Sequence, residues 1–493
     1  MSNPLALYAL AIASGGGRIG VAGSPDEEYD AQQLVAAGLT LLQRSAPLVR
    51  ALSGKRSAIL MPTMPAYLTA LAASDGRGAV LVNPLASVLE ISYQCADANV
   101  GAVFTIEALA SRVPAGLPIV LLDAAPRTAR VITSDRTHDV DLGSHHGLSL
   151  EGERDAPGRD EEALVVYTSA MHGRPLGAVL THANLLANAR SCVEAIGTRS
   201  DDVVLAVIPY AHLFALTATC ASPLLAGATV RTMARFHPVK AAELLMGGTT
   251  QISAVPAVYN ALLGAIERRG LDLRNSAVRL CLTGGAVVPL ELQDRWESVT
   301  GIPLRQGYGL TEAAPVCLFN RTDRPNVRGT LGVPFPGVDV TIMPPADYTK
   351  TMIDAGPADP LPIGQPGEIC VRGENVGPGY LHGAAGGLPR RGQWLCTGDE
   401  GVYNADGTVT FLGLVKPMFT RNGFNIYPVE LERAVCELPG VKSTRVSPIP
   451  DPAKENDIHL RVVGDVTVDA VKLWCESRLS AYKQPNVIEI VAA

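Results

Sequence analysis

The sequence predicts an α/β fold: a large N-terminal domain of mainly parallel sheets with a β-rich subdomain, followed by a small α/β C-terminal domain. Three features carry this expectation. Short apolar runs alternate with longer amphipathic stretches through most of the chain, the rhythm of strands and helices in parallel sheets. From about Gly332 Gly and Pro become frequent and the apolar runs shorten, as in a β-rich unit. After Gly413 a compact strand and helix pattern follows.

Taken in order, the run Leu5 to Ala13 has no Lys or Arg before it and reads as a buried first helix, not a signal peptide. Strands are expected at Ser57–Met61, Gly78–Val82, Ala102–Thr105, Ile119–Leu122, Leu164–Tyr167, Val203–Ile208 and Gln251–Val255. Helices are expected between them, at Pro65–Ala73, Leu89–Asp97 and Asn184–Ala195. The polar, turn-rich stretch Ala124–Glu162 reads as a surface excursion, with His145 and His146 in a solvated loop. Val338–Met343, Gly367–Arg372 and Thr408–Leu412 are the expected strands of the β-rich part. The tail shows a helix near Pro428–Glu437, a strand near Ile458–Val463 and a helix near Asp469–Leu479. The expected domains are therefore 1–415 and 416–493, with the boundary at Lys416.

Bulk properties narrow the function classes. A chain of 493 residues is too long for one core. A net charge of -7 argues against nucleic acid or an anionic membrane surface as main partner. The nine cysteines are scattered without a CxxC pair, which predicts reduced thiols and no metal site. With no apolar run long enough to cross a bilayer, a soluble, cytoplasmic protein is expected.

The stretch Gly307-Tyr-Gly309-Leu-Thr-Glu312 lacks the third glycine and downstream acid of a dinucleotide fold. Its neighbours give it meaning. Gln306-Gly-Tyr-Gly-Leu-Thr-Glu312 is preceded by Leu282-Thr-Gly-Gly-Ala286 and followed by Thr397-Gly-Asp399 and Asn422-Gly-Phe-Asn-Ile-Tyr-Pro-Val-Glu-Leu-Glu432. Upstream stands Tyr167-Thr-Ser-Ala-Met-His-Gly-Arg-Pro-Leu-Gly177, then Thr181-His182. This ordered set resembles the ANL superfamily of acyl-CoA synthetases, peptide-synthetase adenylation domains and luciferases, over almost the whole chain.

The resemblance implies an adenylate site. Gly284, Gly285 and Ala286 with the Tyr308 ring would give adenine a flat partner and close backbone approach. Gln306, Gly307 and Gly309 complete that motif. Thr311 would offer its hydroxyl to an α-phosphate oxygen, Glu312 would face the metal that accompanies ATP, and Asp399 would accept from the ribose hydroxyls. Pro209-Tyr-Ala-His212 resembles the segment between acyl pocket and CoA tunnel, and Val255, Pro256, Gly423 and Phe424 match pocket and tunnel positions. Lys416 would be the hinge about which the C-terminal domain turns.

Departures from the family pattern are informative. Its phosphate loop reads Tyr/Phe-Thr-Ser-Gly-Thr-Thr-Gly-x-Pro-Lys-Gly. Here Ser169 is kept, but Ala170, Met171, His172 and Leu176 replace the glycine, two hydroxyls and the lysine. Leu414 stands where the family has an arginine. The Gly-Lys motif that follows LSxYKxP in the family has no counterpart after Leu479-Ser-Ala-Tyr-Lys-Gln-Pro485. Each preorganised charge or donor lost from such a site costs about 3–4 kcal/mol.

Three readings stay open. The first is an enzyme of the thioester-forming half-reaction alone, moving the acyl group of a preformed acyl-adenylate to CoA with release of AMP. It resembles the non-adenylating acyl-CoA ligases of platensimycin and platencin biosynthesis, which implies antibiotic biosynthesis, a bulky diterpenoid or aryl acid, and a separate adenylating enzyme as partner. Magnesium is dispensable in that reading, with Glu312 either its ligand or a structural acid. The second is a complete ATP-dependent ligase with a degenerate loop, in which an arginine such as Arg174 substitutes for the lysine and the Gly-Lys tail is missing only from this sequence. The third is an inactive protein that binds acyl-AMP, AMP or acyl-CoA. A homodimer is compatible with the sequence.

Overall fold

The computed structural model describes residues 7–24, 27–74, 78–124, 127–143, 158–168, 175–348, 356–383, 388–415, 418–451 and 453–491. The first helix, Leu7–Ser14, has Tyr8, Ile12 and Ala13 buried, as expected of its apolar run.

Two sheets carry the N-terminal part. In one, Leu304–Gly309, Leu280–Thr283, Gln251–Ala254, Val203–Ala206, Thr229–Thr232 and Arg18–Val21 run parallel in that order. In the other, Glu162–Thr168, Ala79–Leu81, Arg56–Leu60, Val100–Thr105 and Ile119–Leu122 are parallel neighbours. Their strands are buried apolar runs because helices such as Ala66–Ala72 and Val88–Asp97 cover them. The expected strands and helices occur, with ends shifted by at most three residues.

One expectation is corrected. Part of the stretch read as a surface excursion is a β-hairpin, Thr128–Ile132 with Thr137–Asp141, that extends the second sheet from Ile119–Leu122. Ala129, Val131 and Val140 point inward while Arg130 and Asp139 point out, a period-two pattern masked by the surrounding charge. His145 and His146 lie outside the described residues.

The β-rich part is an antiparallel set, Val338–Met343, Gly367–Gly373, Trp394–Tyr403 and Val409–Leu414. From Phe419 onward the chain has its own core, in which Ile426, Leu431, Ile458, Leu460, Val471 and Leu479 pack together. A hairpin, Phe419–Arg421 and Phe424–Ile426, precedes the helix Pro428–Cys436. The helix Val468–Arg478 packs on a sheet of Val441–Asp451, Glu455–Gly464 and Val487–Val491. Val441–Asp451 had no clear signal because it is an edge strand holding Pro448 and Pro450, where proline is tolerated. Lys416, at the expected boundary, lies outside the described residues.

Candidate active site

Where the parallel sheets, the β-rich part and the C-terminal residues meet, they enclose a cavity of about 330 Å³. Strand Leu280–Thr283 ends there in the turn Gly284–Ala286, and strand Leu304–Gly309 brings Gln306, Gly307, Tyr308 and Gly309 alongside. Gly284 is needed for this pairing, since a Cβ there would lie 2.7 Å from the Gly307 carbonyl oxygen. Thr311 and Glu312 follow in a 3₁₀ turn at the same wall.

Asp399 enters from strand Trp394–Tyr403, and its Oδ2 accepts a hydrogen bond from the Tyr308 hydroxyl at 2.6 Å. Burial first, then the Asp399 charge, push the Tyr308 phenol well above its ordinary range, so it stays a donor. A carboxylate has about four acceptor sites, so Asp399 can accept more than this one bond.

Glu312 is held in the same way. Its Oε1 accepts from Tyr380 at 2.7 Å and from Thr168 at 3.3 Å. Burial followed by the Glu312 charge pushes the Tyr380 phenol well above its ordinary range. A single carboxylate beside a hydroxyl fits the way magnesium binds when substrate phosphates complete its shell, and such an ion would neutralise phosphate charge.

The part of the wall expected to face the CoA thiol holds His212 and the hairpin at Gly423. His212 Nδ1 accepts the Phe214 backbone N–H at 3.3 Å, which places the proton of the neutral ring on Nε2. The half-buried ring is enclosed by protein, and burial pulls its pKa down to about 4. Gly423 sits at the hairpin tip with a φ of 77°, and a Cβ there would lie 2.8 Å from Val255 Cγ1. Phe424, beside it, stacks on Tyr482 with ring centroids 4.2 Å apart. Both aromatic residues face the cavity.

Cations are scarce on this wall. Among the described residues lining it, the acids and bases other than His212 and the tyrosines are Glu90, Glu312, Asp399 and Lys483. Lys483 is already engaged by two carboxylates, Glu90 at 2.8 Å and Glu430 at 2.6 Å. Leu176 and Leu414 both line the cavity as aliphatic side chains.

The structure thus brings together Gly284, Gly285, Ala286, Gln306 to Gly309, Thr311, Glu312, Asp399, His212, Gly423, Phe424 and Leu176. Ser169, Ala170, Met171, His172 and Lys416, the expected hinge, lie outside the described residues. Val255 and Pro256 are corrected: neither is on the cavity wall. Val255 is buried behind the turns at Gly285 and Gly423, and Pro256 opens the helix Pro256–Arg269, where its missing N–H costs nothing. Glu90, Tyr380 and Tyr482 line the cavity without having stood out in the sequence, because each is separated in the chain from the partner that gives it meaning.

All nine cysteines are free thiols. Among the described residues, Glu368, Cys370 and Cys396 form one cluster with metal-ligand atoms. The Glu368 carboxylate there already accepts from Ala346, Tyr348 and Gly398, so it is a structural acceptor. No described helix is long and apolar enough to cross a membrane.

Comparisons with known proteins agree with this geometry. Residues 48–381 match the family model described as AMP-binding enzyme. A feruloyl-CoA synthase of Amycolatopsis sp is 33% identical, over 88% of this chain and 84% of that one. A long-chain-fatty-acid–CoA ligase of Escherichia coli O6:H1 is 29% identical, over 88% and 82%. The fold matches a double mutant of o-succinylbenzoate CoA synthetase from Bacillus subtilis with a TM-score of 0.79 at 22% identity, covering 98% of this chain and 94% of that one. It also matches a malonyl-CoA ligase product complex, with a TM-score of 0.77 at 24% identity and coverage of 98% and 97%. The chain therefore belongs to the AMP-binding enzymes of the ANL superfamily and is an enzyme of the acyl-CoA ligase kind.

Proposed function

We propose that this protein catalyses the thioester-forming half-reaction alone, taking a preformed acyl-adenylate and CoA to acyl-CoA and AMP. The observation that carries the reading is the make-up of one cavity wall. The adenylate motifs and the Gly423 hairpin share it, while its described cation is spent on two carboxylates and Leu176 and Leu414 occupy the family's cationic positions. Such a wall suits the single phosphate of an adenylate and offers little to the two further phosphates of ATP. Met171 and His172 replace two hydroxyls of the family's phosphate loop, and Ala170 its glycine.

In this reading Asp399 holds the ribose and Thr311 the α-phosphate. Gly284 to Ala286 and Tyr308 hold adenine. The CoA sulfur attacks the acyl carbon, the carbon–oxygen bond to phosphate breaks, and AMP leaves with the electron pair while the thiol proton passes to solvent. The protein contributes orientation of the two reactants more than a nucleophile of its own. Gly423 lets the hairpin approach the thiol path, and His212 is a neutral donor at Nε2. Lys416 is the hinge between domains 1–415 and 416–493. A separate adenylating enzyme supplies the intermediate, and the acid is bulky, aryl or diterpenoid. The likeness to a feruloyl-CoA synthase supports the aryl choice.

The same likeness favours a second reading, a complete ATP-dependent ligase. Two reaction mixtures separate them. One holds acid, ATP, Mg²⁺ and CoA; the other holds a chemically made acyl-adenylate and CoA. Thioester in the second alone is the expected result. Thioester in both establishes the complete ligase, and thioester in neither, across aryl, diterpenoid and fatty acyl groups, points to a binding protein.

A further inference from the structure

Helix Val88–Asp97 opens with a capping box. Ser87 Oγ accepts the Glu90 N–H, and Glu90 Oε2 accepts the Ser87 N–H at 2.7 Å. The same two side chains reach the C-terminal residues. Ser87 Oγ donates to the Arg478 carbonyl at 3.0 Å, Ser480 donates to Glu90 Oε2, and Lys483 Nζ lies 2.8 Å from Glu90 Oε1. Glu90 stands on a helix whose Ile91 and Cys95 pack in an N-terminal core, whereas Lys483 and Glu430 flank the separate C-terminal one. This ion pair therefore joins two cores.

It is also connected to the thiol side of the cavity. Arg421, at the foot of the Gly423 hairpin, donates to the carbonyls of Tyr482 and Gln484 at 3.0 and 2.9 Å. Tyr482 stacks on Phe424, next to Gly423, and Gly423 abuts Val255. The segment from Arg478 to Gln484 is thus bonded to the N-terminal helix on one side and to the hairpin on the other.

Charge balance makes the contact reversible. Lys483 is 3% exposed and shared by two carboxylates. If the C-terminal residues turn away, Glu430 moves with Lys483 and keeps it paired, while Glu90 retains its bond from the Ser87 N–H. Lys483 then stays paired, and Glu90, uncovered at the start of its helix, meets solvent, so no unpaired charge is left buried, the usual obstacle to opening a buried ion pair.

We infer that Glu90 is a positioning residue for thioester formation: through Lys483 it fastens the segment Arg478 to Gln484, and so seats the Gly423 hairpin over the thiol path. This rests on the thioester-forming reading and deepens it. The test is Glu90→Gln, which keeps a capping-box acceptor and the side-chain shape but removes the charge. Thioester formation from a chemically made acyl-adenylate is followed at varied CoA, and hydrogen exchange is measured on peptides covering residues 419–426 and 441–464. The expected result is a fall in kcat/KM for CoA of about tenfold or more with KM for the adenylate within about twofold, as for loss of one partner of a buried pair. Exchange should quicken at 419–426 and stay at the wild-type level at 441–464. Glu90→Asp should recover part of the CoA effect.

Unchanged CoA kinetics with unchanged exchange at 419–426 would overturn the inference. So would faster exchange throughout 441–464, which would mark Glu90 as a general stabiliser of the C-terminal fold. If the wild-type protein also forms thioester from acid and ATP, the half-reaction reading fails while a CoA-confined Glu90→Gln effect still supports the positioning role. If it forms none from acyl-adenylate, the exchange data alone decide.

Discussion

Leu414 stands directly opposite Asp399 across an antiparallel ladder, so the carboxylate expected to hold ribose has a 38% exposed aliphatic neighbour where the family carries an arginine. Leu176 is the corresponding replacement on the other side, paired with Thr168. Neither position offers a cation to a phosphate chain. In the proposed reading the replacements bear on adenylation and leave the residues expected around adenosine as they are.

Leu414→Arg therefore restores one guanidinium beside Asp399, in a partly solvated position. An exposed ion pair of this kind contributes about 0.2–1 kcal/mol, so AMP affinity by calorimetry is expected to rise by about 1.4-fold to fivefold. Isotope exchange between pyrophosphate and ATP is expected to stay at background in Leu414→Arg and in Leu176→Lys, because each restores one of several missing groups. Full exchange in either single variant would show that the phosphate site was otherwise complete, and the half-reaction reading would fall.

Tyr308 holds Asp399 through a 2.6 Å hydrogen bond from a phenol kept protonated by burial. Tyr308→Phe keeps the ring for adenine and removes that donor. A hydrogen bond to a charged acceptor contributes about 1.5–3 kcal/mol, so KM for the acyl-adenylate is expected to rise by about tenfold to a hundredfold. KM for CoA should move little. An equal loss for both substrates would mean that the phenol supports the cavity as a whole.

The residues proposed to hold adenosine were legible in the sequence because they come in short contiguous motifs. Gly284 to Ala286 and Gln306 to Glu312 lie on the ends of adjacent parallel strands, so local spacing already places them together. The ion pair of Glu90 with Lys483 was not legible, since 393 positions separate its partners and the motif around Lys483 does not point to Glu90. Val255 shows the opposite error: its motif was read as cavity wall, but the side chain turns behind two glycines. The hairpin Thr128–Ile132 with Thr137–Asp141 was hidden by composition, its alternation being short and set among charges.

His212 gives a pH expectation with a definite sign. Burial lowers its pKa from 6.5 to about 4, as it does for His182. Between those values the unfolded chain binds protons that the folded chain does not, so stability is complete above about pH 6.5 and is lost as pH falls toward 4. The urea midpoint is expected to drop through that window. The rate of thioester formation from a preformed adenylate should show no inflection from His212 between pH 5.5 and 8, where the ring is already neutral. His212→Asn is expected to lower kcat while leaving the shape of the pH profile unchanged. An inflection near pH 6.5 that vanishes in His212→Asn would instead make the ring a titrating base.

Gly423 offers the most direct separation of the two halves of the cavity. Its φ of 77° lies in the left-handed region, and an added methyl would stand 2.8 Å from Val255 Cγ1. The conformational part of Gly423→Ala costs about 1–2 kcal/mol, and relieving the contact pushes the hairpin away from the thiol path. The expected result is a fall in kcat/KM for CoA of about tenfold to a hundredfold, with AMP affinity within about twofold of wild type. Because one clash partner is a single side chain, Val255→Ala in the same protein should return part of the lost activity, while its own effect on the parent stays small. A double variant no better than Gly423→Ala would assign the defect to the backbone conformation alone. An equal loss of AMP affinity would show that the hairpin supports adenylate binding as well, and the division of the cavity into an adenosine side and a thiol side would no longer hold.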